Sequence, residues 1–451
     1  MTARGFWMAF FLCVLAVSPL GAAPKNLSSS KTLRGGGALP RSEPQIVGAV
    51  TDSTAKVAFR TTDAANVYVD YSADPELADV QRSATYKTNA DADFTIQVPL
   101  SGLAPETTYY YRIVVDGVPQ QISPYPTFRT FPPRGASRDF VFAVITDTDH
   151  IEDDNGAPVY EQVEAENPAF VIQIGDFDHS IPLTLSDMRS LHRSVRDPAY
   201  PAGADFVAHI ASRFSFFHTW DDHDYGTNDS DKTFPGRADA LQAFKEYYPL
   251  PDDAPNPQAG VWHKFSYGQA EFFMLDLRSQ RDPDLSASGP DKSMLDGDVI
   301  PNGQKTWLKQ GLLWSSARWK FILTSVPFNA TSKRTPRDAW SGFMDERSEL
   351  IDWIHLHDIK GVILVSGDLH SGGGIDDGTN SAFPEINVPH TNMPSGDTGE
   401  LGTWSEGIVS GKDGRAGYAL IHVSTEPVDT VLLEAKGREG GARVSYSITL
   451  P

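Results

Sequence analysis

The sequence predicts an α/β (α+β) protein in two parts, an N-terminal β-sandwich and a larger domain in which strands and helices alternate. Three observations predict this architecture. Short apolar runs without helical periods follow one another over residues 45–133. After a Pro/Gly/Arg-rich linker, continuous apolar runs alternate with helical patterns over residues 138–451. Several of these later runs end in aspartate and histidine, which indicates a site at one edge of a sheet.

The first 23 residues have the pattern of a secretory signal peptide. Arg4 supplies a positive start, residues 6–20 form an apolar core, and the run LGAA provides small residues for cleavage. The core is too short and too weakly flanked for a stable membrane span. We therefore expect a secreted or periplasmic protein with a flexible leader over residues 24–44.

The strands of the sandwich are short and separated by turns rich in Asp, Pro and Gly. The runs are QIVGAV, AKVAFRT, NVYVDY, FTIQVPL and TYYYRIVVDG. Strands that recur this often without intervening helices predict an antiparallel sandwich.

The second part has runs typical of strands that are covered on both faces. They are FVFAVITD, AFVIQIGD, RFSFFHTW, AEFFMLDLR, WKFILTSVPF and KGVILVSGD. Helices are predicted in ALQAFKEYY and DERSELIDWIHLHD, and closing antiparallel strands in YALIHVST, TVLLEAKG and ARVSYSITLP.

Composition excludes several classes of function. The formal net charge of −21 disfavours nucleic acid and anionic membranes as partners. The single cysteine, Cys13, lies in the predicted signal peptide, so the mature chain would have neither disulfides nor thiolate metal ligands. Oxygen and imidazole ligands remain, and bound cations would allow so acidic a chain to act on phosphate compounds.

Four of the strand-like runs end in clusters of aspartate and histidine. Neighbouring carboxylates repel one another unless positive charge lies among them. The ends of adjacent strands converge, so we expect one crevice lined by all four clusters. A strand followed by Gly-Asp is also a common turn, and the prediction therefore depends on the repeated pattern. The clusters are Asp147, Asp149 and His150; Asp176, Asp178 and His179; Asp221, Asp222, His223 and Asp224; and Asp368 and His370.

In their order, the clusters resemble the metallophosphoesterase motifs D-x-H, G-D-x-x-(D/Y), G-N-H-(D/E) and G-H-x-H. The stretches WDDHDYGTND, VWHKFSYGQAEFFMLDLRSQRD, WKFILTSVPFN and RSELIDWIHLHDIKGVILVSGDLHSGG resemble the alkaline phosphatase D (PhoD-like) family. The run LAPETTYYYRI is similar to the fibronectin-III-like domain that precedes the catalytic domain in this family and in purple acid phosphatases. The resemblance implies a metallophosphoesterase-type αββα sandwich and a phosphoric ester hydrolase.

The resemblance also implies roles by position. Asp176 would bridge two metal ions, and His223 would be the catalytic partner of the scissile phosphate. The candidate metal ligands are Asp147, Asp149, Asp176, His179, Asp222, Asp368 and His370. Candidate substrate ligands are His150, Arg281 and His390, with structural roles as the alternative.

The sequence departs from the family pattern in ways that affect the metals. Many relatives have cysteine where Asp147 stands. The superfamily's separate fourth-motif histidine has no clear counterpart in this sequence, and Asn329 is the obvious donor in that region. Aspartate at position 368 makes the second site oxygen-rich, which favours Ca²⁺, Mg²⁺, Mn²⁺ or Fe³⁺ over Zn²⁺. On resemblance we expect iron with calcium, with Mn, Mg and Zn left open. Two cations about 3.5 to 4 Å apart would share Asp176 and a hydroxide that attacks the ester in line.

The predicted function is a secreted, metal-dependent hydrolase of phosphate mono- and/or diesters, acting on small molecules, phospholipid or cell-wall phosphodiester. The alternative within the enzyme class is a phospholipase D or cell-wall phosphodiesterase. The alternative class is a calcium-stabilised extracellular binding protein. His223 and His370 argue against the binding protein, because structural calcium sites rarely contain imidazole. The sequence leaves the oligomeric state open.

Overall fold

Two β-sheets that pack face to face, with helices on their outer faces, form the larger part of the molecule. The computed structural model describes residues 41–149, 159–252, 260–295, 303–333, 338–370, 372–392, 401–410 and 416–450. The predicted signal peptide and most of the predicted leader lie outside these residues. No helix in the described part of the chain is both long and apolar enough to cross a bilayer.

The secondary structure of the described residues follows the predicted runs closely. In chain order the strands are β1 (Ile46–Gly48), β2 (Thr54–Arg60), β3 (Asn66–Ser72), β4 (Gln81–Arg82), β5 (Tyr86–Lys87), β6 (Thr95–Ser101), β7 (Thr108–Val115), β8 (Val118–Pro119), β9 (Thr127–Arg129), β10 (Phe140–Ile145), β11 (Phe170–Gln173), β12 (Ser215–His218), β13 (His263–Tyr267), β14 (Ala270–Met274), β15 (Trp319–Thr324), β16 (Val362–Ser366), β17 (Gly372–Asp376), β18 (Glu385–Asn387), β19 (Gly407–Ser410), β20 (Gly417–Ser424), β21 (Thr430–Gly437) and β22 (Ala442–Thr449). The helices are α1 (Tyr160–Ala165), α2 (Leu185–Ser194), α3 (Pro201–Asp205), α4 (Asp222–Tyr225), α5 (Arg237–Tyr247), α6 (Gln304–Trp314) and α7 (Met344–Leu356).

The first sheet has the order β22-β21-β20-β10-β11-β12-β1-β2-β6, and β10, β11 and β12 are parallel. The second has the order β13-β14-β15-β16-β18-β17-β19, with β14, β15, β16 and β18 parallel. Parallel strands end at the same edge of their sheet. The ends of β10, β11 and β12 therefore lie side by side, as the clusters of aspartate and histidine require.

The core explains why the predicted runs are continuously apolar. Successive side chains of a strand point to opposite faces. In β10, Phe142 enters the core between the sheets, whereas Ala143 packs under the outer helices. Across the interface the ring of Phe142 lies 5.1 Å from that of Phe272, edge to face. Both faces of the central strands are thus buried in apolar surroundings.

Local sequence explains where some helices begin. Thr184 caps α2, because its hydroxyl accepts the backbone N–H of Asp187 while the Asp187 carboxylate accepts the N–H of Thr184. Pro201 occupies the first position of α3, where its missing N–H costs nothing. Met188 of α2 packs with side chains on the outer face of the first sheet.

The predicted sandwich strands are present, but they are divided between two sheets. β1, β2 and β6 belong to the first sheet, while β3 and β7 form a separate sheet with β4, β5, β8 and β9. Val57 and Phe59 of β2 share a core with Val67 of β3. Because β1 pairs with β12 in parallel, the N-terminal strands continue the sheet that carries the site. The domain boundary between residues 133 and 138 stays a prediction.

Candidate metal centre

Three predicted ligands lie immediately beyond strands in a left-handed backbone conformation. Asp147, Asp176 and Asp368 have φ values of 48°, 51° and 60°. Aspartate enters this region more readily than most residues, at some cost in free energy. Strained conformations that recur at one point are typical of functional sites. Here they turn each carboxylate away from the direction of its strand.

The glycine before Asp176 allows two loops to come close together. Gly175 has φ of 119°, and a Cβ placed on it would lie 2.5 Å from the Cβ of Asp221. No side chain fits in that space. The Gly-Asp pair of the second cluster therefore has a steric reason: glycine permits the approach, and the aspartate supplies the functional group.

Asp147, Asp176, His179 and His370 bring four ligand atoms together. One atom from each residue lies within 4.8 Å of the others. His179 Nε2 is 3.3 Å from Asp176 Oδ2, and His370 Nε2 is 3.5 Å from Asp147 Oδ1. Within the described residues these four buried atoms have no hydrogen-bond partner of good geometry. Buried ligand atoms that converge and have no hydrogen-bond partner are typical of a site that binds a cation.

The surroundings of His179 favour metal binding through Nε2. Its Nδ1 lies 3.1 Å from the carbonyl oxygen of Thr148, which can only accept, so Nδ1 carries a proton and Nε2 is the nitrogen that a metal ion would bind in place of a second proton. Burial would lower the pKa of His179, but the carboxylates of Asp176 and Asp147 outweigh burial and raise it to about 10. A metal ion between these groups would supply the positive charge that a proton otherwise provides.

Two further groups share Asp176 with the first, and together they are called the second group. Ligand atoms of Asp176, Asp222 and His223 lie within 4.8 Å of one another, and so do those of Asp176, Asp221 and Asp368. The backbone N–H of His223 donates to Asp176 Oδ1 at 3.2 Å. The donor set of carboxylates and imidazoles therefore fits two cations around one shared carboxylate.

Two regions of the chain match two domains that are characteristic of one protein family. Residues 142–377 match the PhoD-like phosphatase family, and residues 42–132 match the N-terminal domain of PhoD-like phosphatases. The first match covers more than half of the sequence. The chain belongs to the PhoD-like phosphatase family. The predicted family resemblance is thereby confirmed.

Relatives of this family member extend the comparison. Alkaline phosphatase D of Bacillus subtilis (strain 168) is 26% identical over an alignment of 345 residues, and the match covers 66% of this chain and 57% of that protein. The match thus spans little more than half the length of that relative. A solved structure of PhoD covers 92% of this chain and 91% of its own, with a TM-score of 0.73 and 19% identity.

A purple acid phosphatase from yellow lupin (Lupinus luteus) seeds also has this fold. Its structure covers 91% of this chain and 74% of its own, with a TM-score of 0.62 and 14% identity. Identities this low support the fold alone. The predicted αββα sandwich of the metallophosphoesterase type is confirmed.

In this family member, a network of buried ion pairs surrounds the second group. The Arg278 guanidinium donates to Asp221 at 2.5 and 2.7 Å and to Asp338 at 2.9 and 3.1 Å. Burial would raise the pKa of Asp338, but Arg278 and Arg281 hold it well below its usual value. Lys333 contacts Asp368 directly. Sequence reasoning missed Asp338 and Lys333, although both follow the predicted strand that became β15.

Two aspartates of the WDDHD stretch have supporting roles. Asp221 is engaged by Arg278 and by the Ser325 hydroxyl, which donates at 2.7 Å. Asp224 accepts the backbone N–H of Asp176 at 2.7 Å and that of Phe177 at 3.0 Å. Burial first, and then the charge of Asp176, raises the pKa of Asp224. Asp224 therefore fixes the loop that carries the shared carboxylate.

The other predicted site residues that the structure describes are not members of the converging groups. Asp149 is not a member of them: its backbone N–H donates to Asn392 Oδ1 at 2.6 Å. Arg281 is fully buried and paired with Asp338 and Asp284, which favours the structural alternative for it. His390 is buried next to the loop of Asp147, where it helps to lower the pKa of that carboxyl. His150 lies outside the described residues.

The side chain of Asn329, the donor predicted in the region of the missing fourth-motif histidine, is engaged in hydrogen bonds to neighbouring loops. Its side-chain amide donates to the Thr403 carbonyl at 2.8 Å, and its oxygen accepts the N–H of Thr331 at 2.9 Å. Asn329 therefore connects two loops behind the site.

Replacing Gly175 with alanine is expected to distort the site and destabilise the protein. The new methyl group would collide with Asp221 in a backbone region that favours glycine, costing at least about 2 kcal/mol of unfolding free energy. Denaturant unfolding and metal content would measure the effect. Gly102→Ala is the control, because Gly102 also has positive φ, 69°, but its Cβ would meet no atom within 4 Å. Equal losses in both variants would contradict the role of crowding.

Proposed function

We propose that this chain is a secreted or periplasmic, metal-dependent phosphoric ester hydrolase that cleaves phosphate mono- or diesters. The observation that carries the proposal is the Asp176 carboxylate, which belongs to both converging groups of buried ligand atoms. Membership of the PhoD-like phosphatase family and the similarity to alkaline phosphatase D support the same chemistry. The natural ester is left open between small molecules, phospholipid and cell-wall phosphodiester.

The residues divide into two sets that would hold two cations. Asp147, Asp176, His179 and His370 would hold the first. Asp176 would hold the second together with Asp222 and Asp368, which come from the two other groups that contain Asp176. We propose iron for the first and calcium for the second, since imidazole suits iron and oxygen ligands suit calcium. Such ions neutralise phosphate oxygens and lower the pKa of water, so that a nucleophile forms near neutral pH.

His223 is the proposed proton donor to the leaving-group oxygen. Its ring lies 4.8 Å from the ring of His179, between centroids, so it borders the first cation set. Its buried Nδ1 has no hydrogen-bond partner within the described residues and is available for substrate. The backbone N–H bonds to Asp176 and Asp222 hold His223 in place. A protonated imidazole would also attract the negatively charged ester before bond cleavage.

The test combines elemental analysis with two substrates. The purified mature protein is expected to contain two metal equivalents and to hydrolyse a chromogenic phosphate monoester or diester. Chelation should abolish hydrolysis, and readdition of metal should restore it. The better substrate would then indicate the subclass of phosphoesterase.

A calcium-stabilised binding protein is the competing function. It predicts calcium as the bound metal and no hydrolysis after supplementation with transition metals. The imidazoles of His179 and His370 among the converging ligand atoms favour the enzyme, because purely structural calcium sites use oxygen ligands.

A further inference from the structure

Lys333 places a positive charge within the second group of carboxylates. Its ammonium contacts Asp368 Oδ2 and lies 3.7 Å from Asp338 Oδ2. The side chain is only 9% exposed. Two buried carboxylates therefore accompany the ammonium of Lys333.

The backbone of Lys333 is held so that the ammonium reaches the site. Lys333 has φ of 41°, a left-handed conformation that lysine rarely adopts. Its carbonyl accepts the Ser341 hydroxyl at 3.0 Å. An unfavourable conformation held by a neighbouring element is typical of a functional position.

The two groups of ligand atoms, called here the first and second halves of the site, differ in the charged residues that pair with their carboxylates. Among the described residues, the ion pairs of Asp147 and Asp176 are with histidine alone. In the second half, Arg278 pairs with Asp221 and Asp338, and Lys333 pairs with Asp368. Within the described residues, the carboxylates of the first group therefore have no lysine or arginine partner, whereas those of the second group have permanent cations from their own chain.

We propose that Lys333 is a built-in cation that competes with the second metal ion for Asp368. This inference rests on the proposed two-metal site. When the second ion is absent, the ammonium satisfies the buried carboxylate of Asp368. The ion binds at Asp368 only by displacing the ammonium, so its net binding energy is reduced by the lost ion pair. The chain accordingly holds its first ion tightly and exchanges the second.

The first test is calorimetric titration of metal-depleted protein with Ca²⁺ after the first site has been filled. Lys333→Met should bind the second ion at least about tenfold more tightly than the unmodified chain, because the competitor is gone. Lys333→Arg keeps the charge and should remain weak. Lys320→Met is the control: Lys320 is also buried, but its ammonium donates to backbone carbonyls of Ala317 and Lys360.

The second test uses the unmodified chain and does not depend on a variant that folds. Displacement by Ca²⁺ should increase the labelling of the Lys333 amine by an acylating reagent, measured by peptide mass spectrometry. Labelling of Lys320 should not change. Unchanged labelling of Lys333 at saturating Ca²⁺ would overturn the proposal, as would unchanged or weaker Ca²⁺ binding by folded Lys333→Met. Neither result would decide the proposed function, which would be contradicted only by an unmodified protein without metal or hydrolysis.

Discussion

Asp176→Asn is expected to abolish ester hydrolysis and to release bound metal at the same time. Asp176 is the carboxylate common to the converging groups, and an amide would donate where two cations need an anionic oxygen. Loss of the shared ligand should lower kcat/KM by on the order of 10³-fold or more. Elemental analysis and hydrolysis of a chromogenic ester, performed on the same preparation, would measure both effects.

Asp178→Asn is the matched control for Asp176→Asn. Asp178 is in the same loop and equally buried, but its carboxylate accepts the backbone N–H of Ser180 at 2.9 Å and is not a member of the converging groups. This variant should retain its metal. If Asp176→Asn kept both ions while Asp178→Asn lost them, the assignment of the shared ligand would be wrong.

His223→Ala is expected to lower turnover while the protein keeps its metal. A positioned acid contributes about 10² to 10⁴-fold to a proton transfer, and kcat should fall within that range. The loss should be smaller for an ester whose leaving group needs no proton, such as a nitrophenyl ester, than for an alkyl ester.

The metal content of His223→Ala decides between two roles. His223 also offers a ring nitrogen within 4.8 Å of ligand atoms of Asp176 and Asp222. Metal loss equal to that of Asp176→Asn would make His223 a ligand and contradict its role as proton donor. Unfolding temperatures of the two variants would show whether either loss follows from a general destabilisation.

The strands that carry the site were predictable because both their faces are buried. The predicted runs ending at Asp147, Asp176 and Asp368 correspond to β10, β11 and β16, whose side chains are nearly all apolar and buried. Such runs produce a strong local signal, and the residues after β10 and β11 lie at one edge of the first sheet because these strands are parallel. Asp149 follows the same local pattern, yet its backbone bonds to Asn392, a partner 243 residues away.

The rest of the site depends on contacts that no local pattern records. Lys333 contacts Asp368 from a loop, and Arg278 forms an ion pair with Asp338, which lies 60 residues further along the chain. Strands β17, β18 and β19 were not predicted, since the run GGGID lacks the β-branched and aromatic residues that indicate strands. The N-terminal strands join the first sheet where β1 pairs in parallel with β12, through Val47 and Ser215.

The strand order of the first sheet also has a consequence for folding during synthesis. β10 lies between β11 and β20, and Ala143 pairs with Leu420. During synthesis, one edge of β10 has no partner until more than 400 residues have left the ribosome. An open apolar edge invites pairing with other chains, and such distant pairings form slowly. Synthesis of this chain therefore creates a long period in which the nascent protein needs protection from aggregation.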